Sequence, residues 1–299
     1  MSRPTRAMAV LAAAGLIVST LAATPVAAQR VEVGNAATVV GEVRMSNADI
    51  EKPRQIARKQ RLAWGDQIAT GKKSQLQILL LDRSTFGIGA NASVRIDRYV
   101  YNPNEGRSFF ATVAKGALRF FSGRQEGSNS AEIQTPSGRI GIRGTAVDLL
   151  VGKDAGKIAE KEDALGKVSS KKDEAVLVVL RGPGAATEGG LAPGWAEVEA
   201  AGKTVLLDQP GLAAYIPFNG SPPIGPFAIS DEGLAKLQDE LAPEVARSMN
   251  DGGFLKALIP AAAAAITVGV ILSGDDKDTN APQGGQTQPG QTNQNPGKP

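Results

Sequence analysis

The sequence contains no cysteine and no histidine in 299 residues. The first absence excludes disulfides, thiol nucleophiles, thiolate zinc sites and cysteine-held iron–sulfur clusters. The second excludes a Ser-His-Asp triad, an imidazole general base and any histidine-ligated metal or haem. Chemistry built on carboxylates, lysine or tyrosine survives, as do oxygen-ligand metal sites. Aromatic residues are scarce at 4%, whereas there are 35 glycines and 18 prolines. That balance favours many turns over long helical bundles. An excess of one charge is missing too. The 33 basic residues face 30 acidic ones, and two of the basic residues, Arg3 and Arg6, fall in an N-terminal segment expected to be removed. A generally basic nucleic-acid binder is therefore excluded, and no nucleic-acid partner is expected.

The ends of the chain read as targeting segments. Arg3 and Arg6 form a positive start, Met8 to Leu21 is almost wholly apolar, and Val26-Ala27-Ala28 offers small residues for cleavage. Residues 1–28 are accordingly expected to be a signal peptide that leaves Gln29 first. A second apolar stretch, 254–273, contains Lys256 as its one charge and approaches the length that crosses a bilayer. It is expected to be a transmembrane anchor in the inner membrane. Its alternative is a buried helix. Residues 274–299 hold no aromatic residue and are expected to be disordered.

Between these ends run short apolar stretches punctuated by glycine. They include 37–43, 76–81, 86–88, 94–96, 109–113, 117–121, 132–135, 140–142 and 147–151. Runs of this length and spacing predict an all-β body, as a sandwich, a roll or a solenoid-like stack. Residues 153–174 alternate lysine with acidic residues and read as a charged insertion, a solvated loop or weak helix. Strand-like runs resume over 175–230, where Trp195 to Ala200 and Thr204 to Leu207, joined by a glycine-containing turn, read as a hairpin. Ser230 can cap a linker helix over 231–253, with Asp231 and Glu232 in its first turn and a break at Pro243.

Four segments in order carry a family likeness. They are 61–71 (RLAWGDQIATG), 82–89 (DRSTFGIG), 115–123 (KGALRFFSG) and 132–148 (EIQTPSGRIGIRGTAVD). Gly65, Asp66, Thr70 and Gly71 form a Gly-Asp-x-Ile-x-Thr-Gly element. Thr135 and Pro136, then Arg143, Gly144 and Thr145, form the closing Thr-Pro and Arg-Gly-Thr elements. This order resembles the FecR domain of bacterial envelope proteins over about residues 36–152, and a FecR-like β domain is expected over 29–152. In such turns Asp66 and Thr70 can bond local backbone, and Pro136 should mark an edge or a turn. Arg143 can bind a carboxylate on a ligand or partner. Its architectural alternative is a tie to Asp66 or Asp148. The nine motif residues are expected to be mainly structural.

No residue is assigned a catalytic, cofactor-binding or metal-ligating role, and no cofactor is expected. There is no Walker loop, GIGANA at 87–92 lacks the third glycine of a dinucleotide fingerprint, and no carboxylate pair stands out as a glycosidase centre. The resemblance implies periplasmic signalling, with an outer-membrane receptor as partner and a cytoplasmic sigma factor as target. Only Met1 to Ala7 precede the first apolar run, too few for the cytoplasmic anti-sigma arm of such regulators. The expectation is thus a non-enzymatic, periplasmic, membrane-anchored protein that recognises another envelope protein. The alternative is a structural or polysaccharide-binding protein of the envelope, with Tyr99, Tyr101 and Trp195 as glycan-stacking candidates.

Overall fold

The computed structural model describes residues 30–122, 128–183 and 194–242. The expected signal peptide, membrane anchor and tail all lie outside these residues. Among the described residues no helix is long and apolar enough to cross a membrane.

The strands are β1 (Glu32–Val40), β2 (Val43–Asn47), β3 (Ile50–Gln55), β4 (Arg61–Ala63), β5 (Gln67–Thr70), β6 (Gln75–Leu80), β7 (Thr85–Ile88), β8 (Ser93–Asn102) and β9 (Gly106–Phe121). Next come β10 (Ser128–Gln134), β11 (Arg139–Arg143) and β12 (Thr145–Val151), then helix α1 (Lys153–Ala159) and a 3-10 turn (Asp163–Leu165). The chain continues through β13 (Val176–Pro183), β14 (Trp195–Ala200), β15 (Lys203–Leu207), β16 (Leu212–Ile216), β17 (Ile224–Ala228) and helix α2 (Asp231–Leu241).

These strands form two ladders. Sheet I runs β4-β1-β6-β7-β9-β12-β13-β16-β17, antiparallel throughout. Sheet II runs β3-β2-β5-β8-β9-β10-β11-β14-β15, antiparallel except where β10 lies parallel to β9. Strand β9 belongs to both. Its first part pairs with β8 and β10, and residues from Gly116 onward pair with β12 and β7. The sequence reads 109–113 and 117–121 as separate strands. They are one strand bent at Gly116, because the two halves keep ladder partners in different sheets and no turn is needed.

The bends demand glycine. Gly116 has φ +94°, and a Cβ there would run into the Ala92 backbone. Gly144, at φ +64°, takes the chain from β11 in sheet II to β12 in sheet I. L-residues with a side chain adopt such a φ at a cost that glycine avoids.

Inward side chains of both sheets meet in one core that contains Phe86, Phe109 and Phe120. The Phe86 and Phe109 rings pack edge-on at 5.0 Å, and Phe109 stacks on Phe120 at 5.6 Å. Burying each such ring contributes about 1.5–3 kcal/mol relative to exposure. A second core lies on the outer side of sheet I. Ala155, Ile158 and Ala159 of α1 and Leu237 and Leu241 of α2 pack there on Leu177, Val179 and Tyr215. The segment read as a solvated loop or weak helix is therefore a docked one, because its few apolar residues fall on the side of α1 and the 3-10 turn that meets the sheet. Ser230 does cap α2, accepting from the Gly233 N–H at 3.0 Å.

Candidate functional site: an open sheet face and the motif beneath it

The first motif is a pair of pinned turns. Asp66 is fully buried between β4 and β5. Its carboxylate accepts from the Ala63 N–H and Asn47 Nδ2, each at 2.8 Å, and is paired with Arg30. Gly65 before it has φ +80°. The Thr70 hydroxyl donates to the Gly89 carbonyl at 2.6 Å and accepts from the Ala92 N–H at 2.9 Å, which fixes the β7–β8 crossing. Gly71 leaves room for the Ser74 hydroxyl, which accepts from the Glu42 N–H at 2.8 Å. Thr135 to Gly138 is the hairpin turn between β10 and β11. There Thr135 Oγ1 donates to the Gly138 carbonyl at 2.7 Å while Pro136 stands exposed. Buried Thr145 donates its hydroxyl to the Gly182 carbonyl. These contacts are all architectural.

Arg143 is different. The carboxylates named for it have other partners. Asp66 takes Arg30, and Asp148 takes Arg119 and Arg181. The corner at Gly144 turns Arg143 outward, and its guanidinium lies 5.1 Å from the Trp195 ring centre on the neighbouring strand. Both line an open groove of about 190 Å³ on the outer face of sheet II, with Arg98, Phe110, Glu132 and Glu197. Arg139 on the same face bridges Glu199 and Glu132, the latter at 3.6 Å.

Two buried ionic centres support the body. At the Asp82-Arg83-Ser84 turn, Asp82 Oδ2 lies 3.2 Å from Arg107 Nε and accepts from the Ser84 hydroxyl at 2.6 Å. Arg107 Nη1 donates to Ser84 Oγ at 2.6 Å, and the Tyr99 hydroxyl donates to Asp82 Oδ1 at 3.1 Å. Burial pushes the Arg107 guanidinium down, and burial followed by the Asp82 charge pushes the Tyr99 phenol up. Tyr99 is 2% exposed, so its ring belongs to the core rather than to any glycan surface. On the outer side of sheet I, Asp148 accepts from Arg119 Nε at 2.6 Å and Nη2 at 2.7 Å, with Arg181 Nε at 3.3 Å. Arg119 Nη2 also donates to Gln238 of α2 at 2.9 Å. Burial lowers the Arg181 pKa. For Arg119 burial is opposed by Asp148, whose charge and hydrogen bonds leave the pKa raised.

The family profile described as FecR protein matches residues 66–182. Those residues form a FecR-family domain. The match begins at buried Asp66 and ends at Gly182, which holds Thr145. Strands β1–β4 and β14–β17, which complete both sheets, lie outside it. Two crystal structures of a protein from Parabacteroides distasonis, provisionally assigned as an anti-sigma factor, are similar to the chain at 14% identity and a TM-score of 0.40. The likeness covers 57% of this chain and 64% of the first structure, and 62% and 74% for the second. The chain thus spans less than two thirds of the first. No curated protein matches the sequence.

Within the FecR domain, the family motif residues apart from Arg143 hold turns and crossings. Arg143, Arg98, Phe110, Glu132 and Arg139 of the domain share the groove with Trp195, Glu197 and Glu199 of β14. Tyr101 is 36% exposed and packs against Tyr99 outside the groove lining. Sequence reasoning missed Arg107, since nothing between Gly106 and Ser108 marks a buried cation. Among the described residues no group of histidine, cysteine or carboxylate side chains is arranged to hold a metal.

Proposed function

We propose that the chain is a non-catalytic recognition module of the bacterial envelope that senses a signal by binding another protein. The FecR domain supports a regulatory, signal-sensing role. The observation that carries the reading is the contrast between the outer faces. Helices and a second core cover sheet I, whereas sheet II carries an open groove of arginine, carboxylate and aromatic side chains. Export by residues 1–28, a periplasmic address and tethering to the inner membrane by 254–273 complete the proposal, with an outer-membrane receptor as one class of partner.

The polysaccharide-binding alternative is favoured by Trp195, a half-buried indole in the groove. Arg143 takes up part of the stacking surface that a sugar ring would need. Formaldehyde crosslinking of the full chain in cells, followed by denaturing purification, separates the two. The expected result is a discrete protein adduct that disappears when residues 1–28 are deleted. Adducts made only of peptidoglycan or lipopolysaccharide would transfer the assignment to the glycan reading.

A further inference from the structure

The groove on sheet II carries charges of both signs in a fixed order, and that order specifies what fits it. Cross-strand register sets the outward side chains in rows. One row pairs Val100 with Ser108 and Ser108 with Ser130, and continues to Arg143 beside Trp195. The next runs Arg98, Phe110, Glu132, Gly141, Glu197 and Leu206. Arg98 on β8 and Arg143 on β11 therefore stand on either side of the Ser108 and Ser130 hydroxyls. Among the described residues neither arginine pairs with a carboxylate. Glu132 and Glu199 share Arg139, and among the described residues Glu197 has no cation partner. Across the strands Arg98 on β8 thus stands at one end and Glu197 on β14 at the other, with Arg143 and the Arg139-bound Glu132 between them. Gly141 keeps the floor between Glu132 and Glu197 free of a side chain. Apolar groups bound the face at both limits, Val100 at 50% exposure and Leu206 at 46%.

Resting on the recognition reading above, we infer that this face takes an extended segment of a partner protein. A carboxylate of that segment sits over Ser108 and Ser130 between Arg98 and Arg143, and a lysine or arginine meets Glu197. Ser130 on β10 and Glu197 on β14 lie two strand spacings apart, about 10 Å, which is roughly three residues of extended chain. Charge complementarity selects this occupant. A polyanionic glycan repeats one charge and would oppose Glu197 and Glu199. A neutral glycan would leave Arg98 and Arg143 without a role. A polypeptide alternates acid, base and apolar groups as the face does.

The test places a photo-crosslinking benzoylphenylalanine at Val100, at Leu206 or, on the far side of the body, at Leu81 in the full chain, irradiated in cells. Protein adducts are expected from Val100 and Leu206. Mass spectrometry should find an acidic residue in the Val100-linked peptide and a basic one a few residues away, near the Leu206 link. The charge reversal Arg98→Glu/Arg143→Glu should cut both yields about tenfold, and Arg98→Gln/Arg143→Gln should do so in part if the reversal impairs folding. Glycan or lipid adducts overturn the inference, as do protein adducts indifferent to both double variants. Adducts from Leu81 alone sink this face while leaving the recognition reading standing. No protein adduct from any position sinks both.

Discussion

The two sheets share a strand, a core and an arginine-rich outer side, yet they treat charge in opposite ways. On sheet I, Asp148 lies at 1% exposure between Arg119 and Arg181, and α2 reaches over to Arg119 through Gln238. On sheet II, Arg98, Arg143 and Glu197 stand in the open. A desolvated charge must be matched or it destabilises the fold, whereas an exposed one has water as its partner. Charge on sheet I therefore serves stability, and charge on sheet II is available for recognition. Cover is what separates them. The apolar side chains of α1 and α2 fall on one sheet only.

The change expected to do most harm removes the feature both sheets depend on. Gly116→Val puts a branched side chain at φ +94° against the Ala92 backbone, where β9 passes between the sheets. A loss of about 4 kcal/mol or more is expected, seen as insoluble protein or the absence of a cooperative urea transition. Next comes Asp148→Ala, which leaves two crowded guanidinium groups without their anion. The expected cost is about 3 kcal/mol. Replacing the whole cluster, Asp148→Leu with Arg119→Met and Arg181→Met, should restore most of the urea midpoint. A triple variant no more stable than Asp148→Ala would show that packing rather than charge dominates the covered side.

How much of this was visible beforehand follows from the range of each interaction. Alternation marks β5, β6 and β14, because burial on one face is a local pattern. The β14–β15 hairpin is legible for the same reason, with Ala201 and Gly202 at positive φ as a two-residue turn requires. Strand β3 escapes notice because IEKPRQ is a charged, proline-bearing edge. Strand β17 escapes because IGPFA holds glycine and proline. The burial of Asp148 could be read from Val147 and Leu149 beside it, but its partner could not. The nearest arginine in sequence, Arg143, faces outward across the Gly144 bend, while Arg119 arrives 29 residues away by strand pairing. The groove was legible only in fragments. Arg143 and Trp195 each drew attention alone, and their pairing depends on β11 lying beside β14.

A gentler probe uses acid. Glu232 on α2 bonds Lys161 at 2.8 Å and Lys236 at 2.6 Å, which hold its carboxyl at about 2 against an ordinary 4.5. A carboxyl depressed in the fold adds stability above its unfolded value, and that stability is lost as pH falls through the folded value. Acidification from above pH 4.5 towards 2 should therefore loosen the contact between α2 and the end of α1. Hydrogen exchange should show α2 amides opening more than those of β11 and β14. The group is exposed, so molar salt should screen most of the difference. Equal acid sensitivity of both regions at low salt would remove the distinction between covered and bare sides.

The smallest expected change completes the comparison. Glu197→Ala should shift stability by no more than about 0.5 kcal/mol, since its carboxylate is exposed and holds no cation among the described residues. Arg143→Ala should cost about 0.5–1 kcal/mol, the worth of an exposed cation over an indole ring. Both lie well below Asp148→Ala, although all three remove one formal charge from the outside of a sheet. Thermal unfolding of the three variants side by side measures the gap. If Arg143→Ala destabilised the chain as much as Asp148→Ala, the Arg-Gly-Thr arginine would be a structural tie after all. If it melts almost like the parent, an arginine set beside the bend at Gly144 and held outward over an indole contributes little to the fold, and its value must come from what it meets outside the chain.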